Sequence, residues 1–271
     1  MKISCLESFM HCIFVVVILV TNAYNFAPLT KYVRKDGDSI HGLNVIERSK
    51  AKKEQTTCLL FFTGGSSMIP PQIYGHLMDC LASVGFSIYA PHFHYENKEN
   101  IVDILLNDYK EVILVGHSSG GTTAINYAKN PNVRKLILLD PVDTRLFSKK
   151  YRNKTHDLEN LEMLMFLNAE KSYKFTFTPP ALPFIPFLSV KPDILRLKDT
   201  CKIIQKEAKN FGHSDILDLH YSNIMHGARV SVGHQNRSYS KMEEYHKWLV
   251  NHFYFFSKMN TRAIKKLRDI S

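Results

Sequence analysis

The chain has 271 residues, a length that fits one α/β domain with ample material for a core. Apolar residues make up 45% and charged residues 22%, which excludes a disordered or fibrous chain. The formal net charge is +10, yet no zinc-finger spacing, RNA-binding aromatic signature or P-loop accompanies it, so a nucleic-acid partner is not expected.

At the N-terminus, Lys2 precedes an apolar run over 9–20 that only His11 interrupts, followed by Thr21-Asn22-Ala23. A basic start, a short apolar core and a small residue predict a secretory signal peptide over 1–23, and hence a secreted or lumenal protein. The alternative is an uncleaved anchor that holds the protein on a membrane, although the run is short for a span. Two N-x-[ST] sequons begin at Asn153 and Asn236. Cys58, Cys80 and Cys201 lie beyond the signal and allow at most one disulfide. Cys58 and Cys201 start apolar runs and are expected in the core.

The domain proper is placed at 24–257. A polar lead-in occupies 24–38, and strands are predicted over 41–46 and 57–62, the second ending abruptly at Thr63-Gly64-Gly65. A helix follows over 73–84, closed by Gly85 as its C-terminal cap, then a strand over 86–90 that Pro91 stops. A polar, helical stretch over 97–109 leads to an apolar strand at 111–115 and a further helix. Strands are predicted at 135–139, at 161–167 and from Lys202, and an amphipathic helix over 241–256 closes the domain. The proline-broken segment 166–197 reads equally as a lid beside an apolar cleft or as a crossover packed on the core. Residues 258–271 form a basic tail, either a solvated end or a contact for an anionic membrane surface. The alternation of strands and helices predicts a doubly wound, mainly parallel sheet in a three-layer α/β/α sandwich.

Gly116-His117-Ser118-Ser119-Gly120 stands between a strand and a helix, the context that makes G-x-S-x-G a nucleophile elbow. A serine hydroxyl needs a base to take its proton, and the base needs an anion to hold its tautomer. On such a sheet the chain order is serine, acid, histidine. Asp140, at the end of the next strand, is the first choice of acid, with Asp143 and Glu170 as alternatives. Among thirteen histidines His213 is chosen as base, because it follows the last strand in a glycine-containing turn. His220 and His226 fall in a less defined segment, and His92-Phe93-His94 has no third ligand placed by spacing, so no metal site is expected. Two backbone N–H groups should form an oxyanion hole, one from Ser119 and one from Gly65 in the loop after strand 57–62.

With these residues laid out, the chain resembles the chlorophyllase branch of the α/β-hydrolase superfamily. The resemblance rests on Gly116-His117-Ser118-Ser119-Gly120-Gly121, Asp140-Pro141-Val142-Asp143 and Gly212-His213-Ser214-Asp215-Ile216-Leu217-Asp218. The likeness spans about Thr57 to Phe256, with poor correspondence between Arg145 and Thr200, and it implies an α/β-hydrolase fold, a triad of Ser118, Asp140 and His213, and carboxylic-ester hydrolysis without a cofactor. Thr63-Gly64 replaces the family's usual His-Gly, and Ser119 replaces an arginine common in plant chlorophyllases. A lipid or other apolar ester is therefore expected as substrate rather than chlorophyll. The alternative is a non-catalytic hydrolase fold that binds lipid or a protein partner.

Overall fold

The computed structural model describes residues 30–33, 39–46, 57–65, 69–91, 101–143, 155–173, 190, 192–227 and 237–259. Ten strands are seen there: β1 (Thr30–Val33), β2 (Ser39–Ile46), β3 (Thr57–Phe62), β4 (Ser87–Pro91), β5 (Glu111–His117), β6 (Lys135–Leu139), β7 (His156–Asp157), β8 (Met163–Ala169), β9 (Leu195–Arg196) and β10 (Lys202–Ala208). The helices are α1 (Gly75–Ser83), α2 (Ile101–Leu106), α3 (Gly120–Tyr127), α4 (Leu219–Gly227) and α5 (Tyr239–Lys258).

Eight strands form one sheet in the order β1-β2-β4-β3-β5-β6-β8-β10, while β7 and β9 pair separately. The β1–β2 and β2–β4 pairings are antiparallel. All other pairings in the large sheet are parallel. The chain starts its parallel part at β3, winds out to β4, then returns past β3 to β5 and onward. This order and direction, with helices on both faces, is the α/β-hydrolase fold.

The two faces follow from the period of two along each strand. Leu59, Phe61, Ile113, Val115, Ile137 and Leu139 point to one face, where Leu77 and Leu81 of α1 and Leu249 and Phe253 of α5 cover them. Cys58, Leu60, Phe62, Leu114, Leu136 and Leu138 point to the other, against Ile101 and Leu105 of α2 and Ala124 and Ile125 of α3. Because both faces are buried, these strands read as continuous apolar runs rather than alternating ones. β10 lies at an edge and is mostly exposed, with Lys202, Lys206 and Glu207 along it. Charges on an edge strand discourage pairing with another chain.

Several boundaries differ from the sequence expectation. Thr30–Val33 is a strand inside the stretch read as an irregular lead-in. Ile73 and Tyr74 belong to a 3-10 turn, Pro71–Tyr74, that precedes α1. Pro91 is the last residue of β4 rather than its stop, since its partner there is Leu43 on the antiparallel side. Leu219–Gly227, expected to be undefined, is helical and carries His220 and His226. Gly85 does close α1 with φ 103°. In the proline-broken segment, 166–169 belong to β8, and Val190 and Leu195 are buried in the core. Val190 N–H also donates to Pro141 O at 2.9 Å, and residues 174–189, where the lid and crossover readings differ, lie outside the described residues. Cys58 is fully buried and Cys201 partly so, and none of Cys58, Cys80 and Cys201 is joined in a disulfide among the described residues. The signal segment, His92, His94, both sequon asparagines and the tail from 260 lie outside the described residues. Among the described residues no helix is long and apolar enough to cross a membrane, and no cluster of His, Cys, Asp or Glu is placed to hold a metal.

Candidate active site

Ser118 stands between β5 and α3 with φ 55°, a left-handed conformation that costs a non-glycine residue roughly 1–3 kcal/mol. The turn exists because its neighbours lack side chains. A Cβ on Gly116 would lie 2.6 Å from Gly120 O, and one on Gly120 would lie 2.3 Å from Thr63 O. A Cβ on Gly121 would meet Pro141 Cβ at 2.8 Å. The elbow is thus wedged between the end of β3 on one side and the Asp140-Pro141 turn on the other. Backbone bonds stitch it there: Ser118 N–H donates to Leu139 O at 3.0 Å, and Val142 N–H donates to Ser118 O at 2.9 Å.

Asp140 also has positive φ, 40°, directly after β6. Its carboxylate is buried and accepts two local bonds, from Ala169 N–H to Oδ1 and from the Ser172 hydroxyl to Oδ2, each at 2.8 Å. His213 Nδ1 lies 3.7 Å from the same Oδ2. The structure therefore brings Asp140 and His213 together, at a separation longer than a hydrogen bond. Nδ1 is buried and has no closer partner among the described residues. Glu170, one alternative acid, accepts the N–H of Asn210 at 2.8 Å and so ties down the chain just before the histidine turn. Asp143, the other, is buried shortly beyond Asp140 in the chain.

The segment 213–218 is held from several sides, partly by Asp215 and Asp218 of its own motif and partly by residues on α1, α4 and α5. Asp215 Oδ2 accepts Gly212 N–H at 2.9 Å, which closes the turn around His213. Asp215 Oδ1 accepts the Ser222 hydroxyl at 3.2 Å. Asp218 Oδ1 accepts His76 N–H at 3.0 Å, capping the start of α1 from 142 residues away. Burial raises the Asp218 carboxyl to about 6, against the lowering effect of that cap. His246 of α5 donates from Nε2 to Ile216 O at 3.0 Å, and its Nδ1 lies 2.8 Å from His76 Nδ1. Burial first, and then the nearby His76 charge, lowers His246 to about 3, so it is neutral and its Nδ1 accepts from His76.

A second histidine, His117, sits beside Ser118 in the chain. Gly64 N–H donates to Tyr74 Oη at 3.0 Å, so the Tyr74 hydroxyl proton goes to His117 Nδ1, 2.7 Å away. Burial, followed by the charge of His213, holds His117 well below its ordinary pKa, so the ring is neutral with its proton on Nε2. That N–H donates to His213 O at 3.3 Å, and the two rings lie 4.7 Å apart at 32°. Tyr74 is itself fully buried, which raises its hydroxyl above the ordinary range.

In the loop after β3, Thr63 is buried, and its hydroxyl donates to Ile69 O at 2.6 Å. Gly64 N–H is used by Tyr74. Gly65 is the next amide in the loop, with φ 62°. Ser119 is buried at the N-cap of α3, one residue after Ser118. His213, the expected base, adjoins an acid, whereas His220 and His226 lie on α4. The sequence signal for Asp215 was its place three residues after Gly212, a turn-closing position. For Tyr74 and His117 there was none beyond the G-H-S order.

No family model matches the chain, and no curated protein matches it. Among solved structures it is similar to a lipase-esterase related protein from Clostridium acetobutylicum, 24% identical over 41% of this chain and 54% of that one, with a TM-score of 0.28. A predicted CIB-like hydrolase from Thermoplasma acidophilum is 15% identical over 74% and 98%, with a TM-score of 0.39. The esterase domain of a Rhodothermus marinus protein is 12% identical over 76% and 99%, with a TM-score of 0.42.

Proposed function

We propose that the protein is a serine hydrolase that cleaves carboxylic esters through Ser118, Asp140 and His213. The reading is carried by one observation: His213 Nδ1 stands 3.7 Å from a buried, hydrogen-bonded Asp140 carboxylate, on the same sheet end as the strained Ser118 elbow. His213 Nε2 takes the Ser118 proton as Oγ attacks the ester carbonyl. The tetrahedral oxyanion is held by the N–H groups of Gly65 and Ser119. The C–O bond to the alcohol then breaks, and His213 returns the proton to the leaving oxygen. Water, deprotonated by His213, releases the acyl group and restores Ser118. Asp140 holds the Nδ1–H tautomer and stabilises the imidazolium.

The substrate we favour is an apolar or lipid-like ester, in keeping with the motif resemblance to the chlorophyllase branch. The N-terminal segment supports entry to the secretory pathway, with either release or retention as a membrane anchor. Tyr254 and Phe255 are exposed at the end of α5, immediately before the basic tail, which supports contact with an anionic membrane surface. A fluorophosphonate probe tests the central reading: Ser118 should label, and Ser118→Ala should not. Absence of labelling on folded protein overturns it. A panel of p-nitrophenyl and glycerol esters tests the substrate class, N-terminal sequencing tests the processing, and flotation with anionic vesicles tests the tail.

A further inference from the structure

The two groups that a serine hydrolase must register most closely, the general base and the oxyanion loop, come from opposite parts of this chain. They are linked here by a continuous chain of three hydrogen bonds. Gly64 N–H donates to Tyr74 Oη at 3.0 Å, Tyr74 O–H donates to His117 Nδ1 at 2.7 Å, and His117 Nε2–H donates to His213 O at 3.3 Å. The middle member, His117, is covalently next to Ser118. One buried path therefore touches the oxyanion loop, the nucleophile elbow and the backbone of the base.

Resting on the serine-hydrolase reading above, we propose that Tyr74 and His117 are positioning residues that set His213 and the Gly64-Gly65 loop in register with Ser118. Neither touches the reacting atoms. Both ring nitrogens of His117 are spoken for, one as acceptor and one as donor, so only the neutral Nε2–H tautomer completes the path. A protonated ring would turn Nδ1 into a donor facing the Tyr74 hydroxyl and would place a charge beside the His213 ring. Complete burial of Tyr74 and a 3% exposed His117 keep water from substituting for either bond. The Tyr74 bond also occupies Gly64 N–H, which leaves the following amide, Gly65, to face the substrate. Misplacement of a reacting group by about 1 Å is enough to cost on the order of a hundredfold in rate, so loss of this registration should appear in turnover rather than in binding.

The test uses Tyr74→Phe, His117→Asn, the double variant and His117→Gln in the full chain, with p-nitrophenyl butyrate turnover, fluorophosphonate labelling rate and circular dichroism. Tyr74→Phe and His117→Asn should each lower kcat by about 10- to 100-fold with KM within about twofold. The double variant should be no more than about threefold worse than the worse single, because both break one path. His117→Gln keeps an N–H aimed at the His213 carbonyl and should recover most of the loss. In wild-type protein with ¹⁵N-labelled histidine, long-range NMR correlation should find His117 as the neutral Nε2–H tautomer. Folded variants that turn over at the wild-type rate, effects that multiply, or an Nδ1–H tautomer would each overturn the proposal. If Tyr74→Phe does not fold, the two His117 variants and the tautomer decide. A wild-type protein that does not label overturns the hydrolase reading along with this one; labelled wild type with unaffected variants overturns this one alone.

Discussion

The two ends of the parallel sheet are built on opposite terms. At the amino ends of β3, β5 and β6, charge is neutralised where it stands. Lys135 Nζ lies 3.0 Å from Glu111 Oε1 and donates to Ser257 O in the last turn of α5 at 3.3 Å, while the Thr57 hydroxyl donates to Glu111 Oε2 at 3.3 Å. At the carboxyl ends the backbone is strained instead. The non-glycine residues with positive φ among those described are Ser118, Asp140 and Asn210, and they follow β5, β6 and β10. Each such residue stores roughly 1–3 kcal/mol that the surrounding packing must offset. A buried His213 Nδ1 without a close partner sits at the same end. One end holds the fold together, and the other stores strain around Ser118 and Asp140. Ligands on open α/β sheets are expected at that end.

The contrast predicts that substitutions at the carboxyl end remove activity while those at the amino end remove stability. The largest effect should come from Ser118→Ala, with turnover falling by about 10⁵-fold or more and unfolding free energy changing by less than about 1 kcal/mol. Ester hydrolysis and urea unfolding on the same preparation check both halves. Asp140→Asn should cost about 10⁴-fold in turnover, as the amide can no longer enforce the histidine tautomer. Glu170→Gln should stay within about threefold, because the amide oxygen still accepts from Asn210 N–H. If those two results are exchanged, the acid belongs after β8. At the amino end, Lys135→Met leaves Glu111 without its cation and the Ser257 carbonyl without its donor. A loss of about 2 kcal/mol is expected, at the low side for a buried pair because Glu111 is 27% exposed. It should lower the thermal midpoint and leave kcat unchanged. A drop in kcat at full folding would erase the division between the two ends.

How far the sequence could be read depended on whether the determining contacts were local. β3 and β6 match the expected bounds, Thr57–Phe62 and Lys135–Leu139, because burial on both faces writes an uninterrupted apolar run. β1 carries Thr30-Lys31-Tyr32-Val33, where a polar pair hides the strand, and its existence depends on pairing with β2. In α4, Leu219-His220-Tyr221-Ser222-Asn223 shows no clear apolar period, so packing rather than pattern makes it helical. The positions of Ser118, Asp140 and His213 after strand ends could be read from glycine and strand punctuation. The Tyr74–His117–His213 path joins residues 43 and 96 apart, and a single sequence carries no sign of such a contact.

A further predicted effect concerns pH, and it arises where the two ends of the histidine segment differ in their supports. His246 is held at about 3 in the folded protein against an ordinary value of 6.5. As pH falls below 6.5 the unfolded chain takes up that proton and the folded chain does not, so this group's stabilisation declines steadily toward pH 3. His117, held well below 6.5, acts in the same direction. Asp218 works against them. Its folded value of about 6 lies above the ordinary 3.8, so between pH 6 and 3.8 the folded chain takes up the proton first and gains stability as pH falls. The nearby Asp79 carboxylate contributes to that rise, and the His76 charge opposes it. Wild-type stability should therefore fall less steeply from pH 6 to pH 4 than the two histidines alone would make it. Asp218→Asn keeps an oxygen to cap His76 N–H but cannot titrate, so it removes the offset. Relative to wild type it should lose on the order of 1–3 kcal/mol more between pH 7 and pH 4, since a tenfold difference in proton affinity between folded and unfolded chains is worth about 1.4 kcal/mol. Urea midpoints across that interval measure the difference directly, and parallel curves for the two proteins would mean that Asp218 does not titrate there.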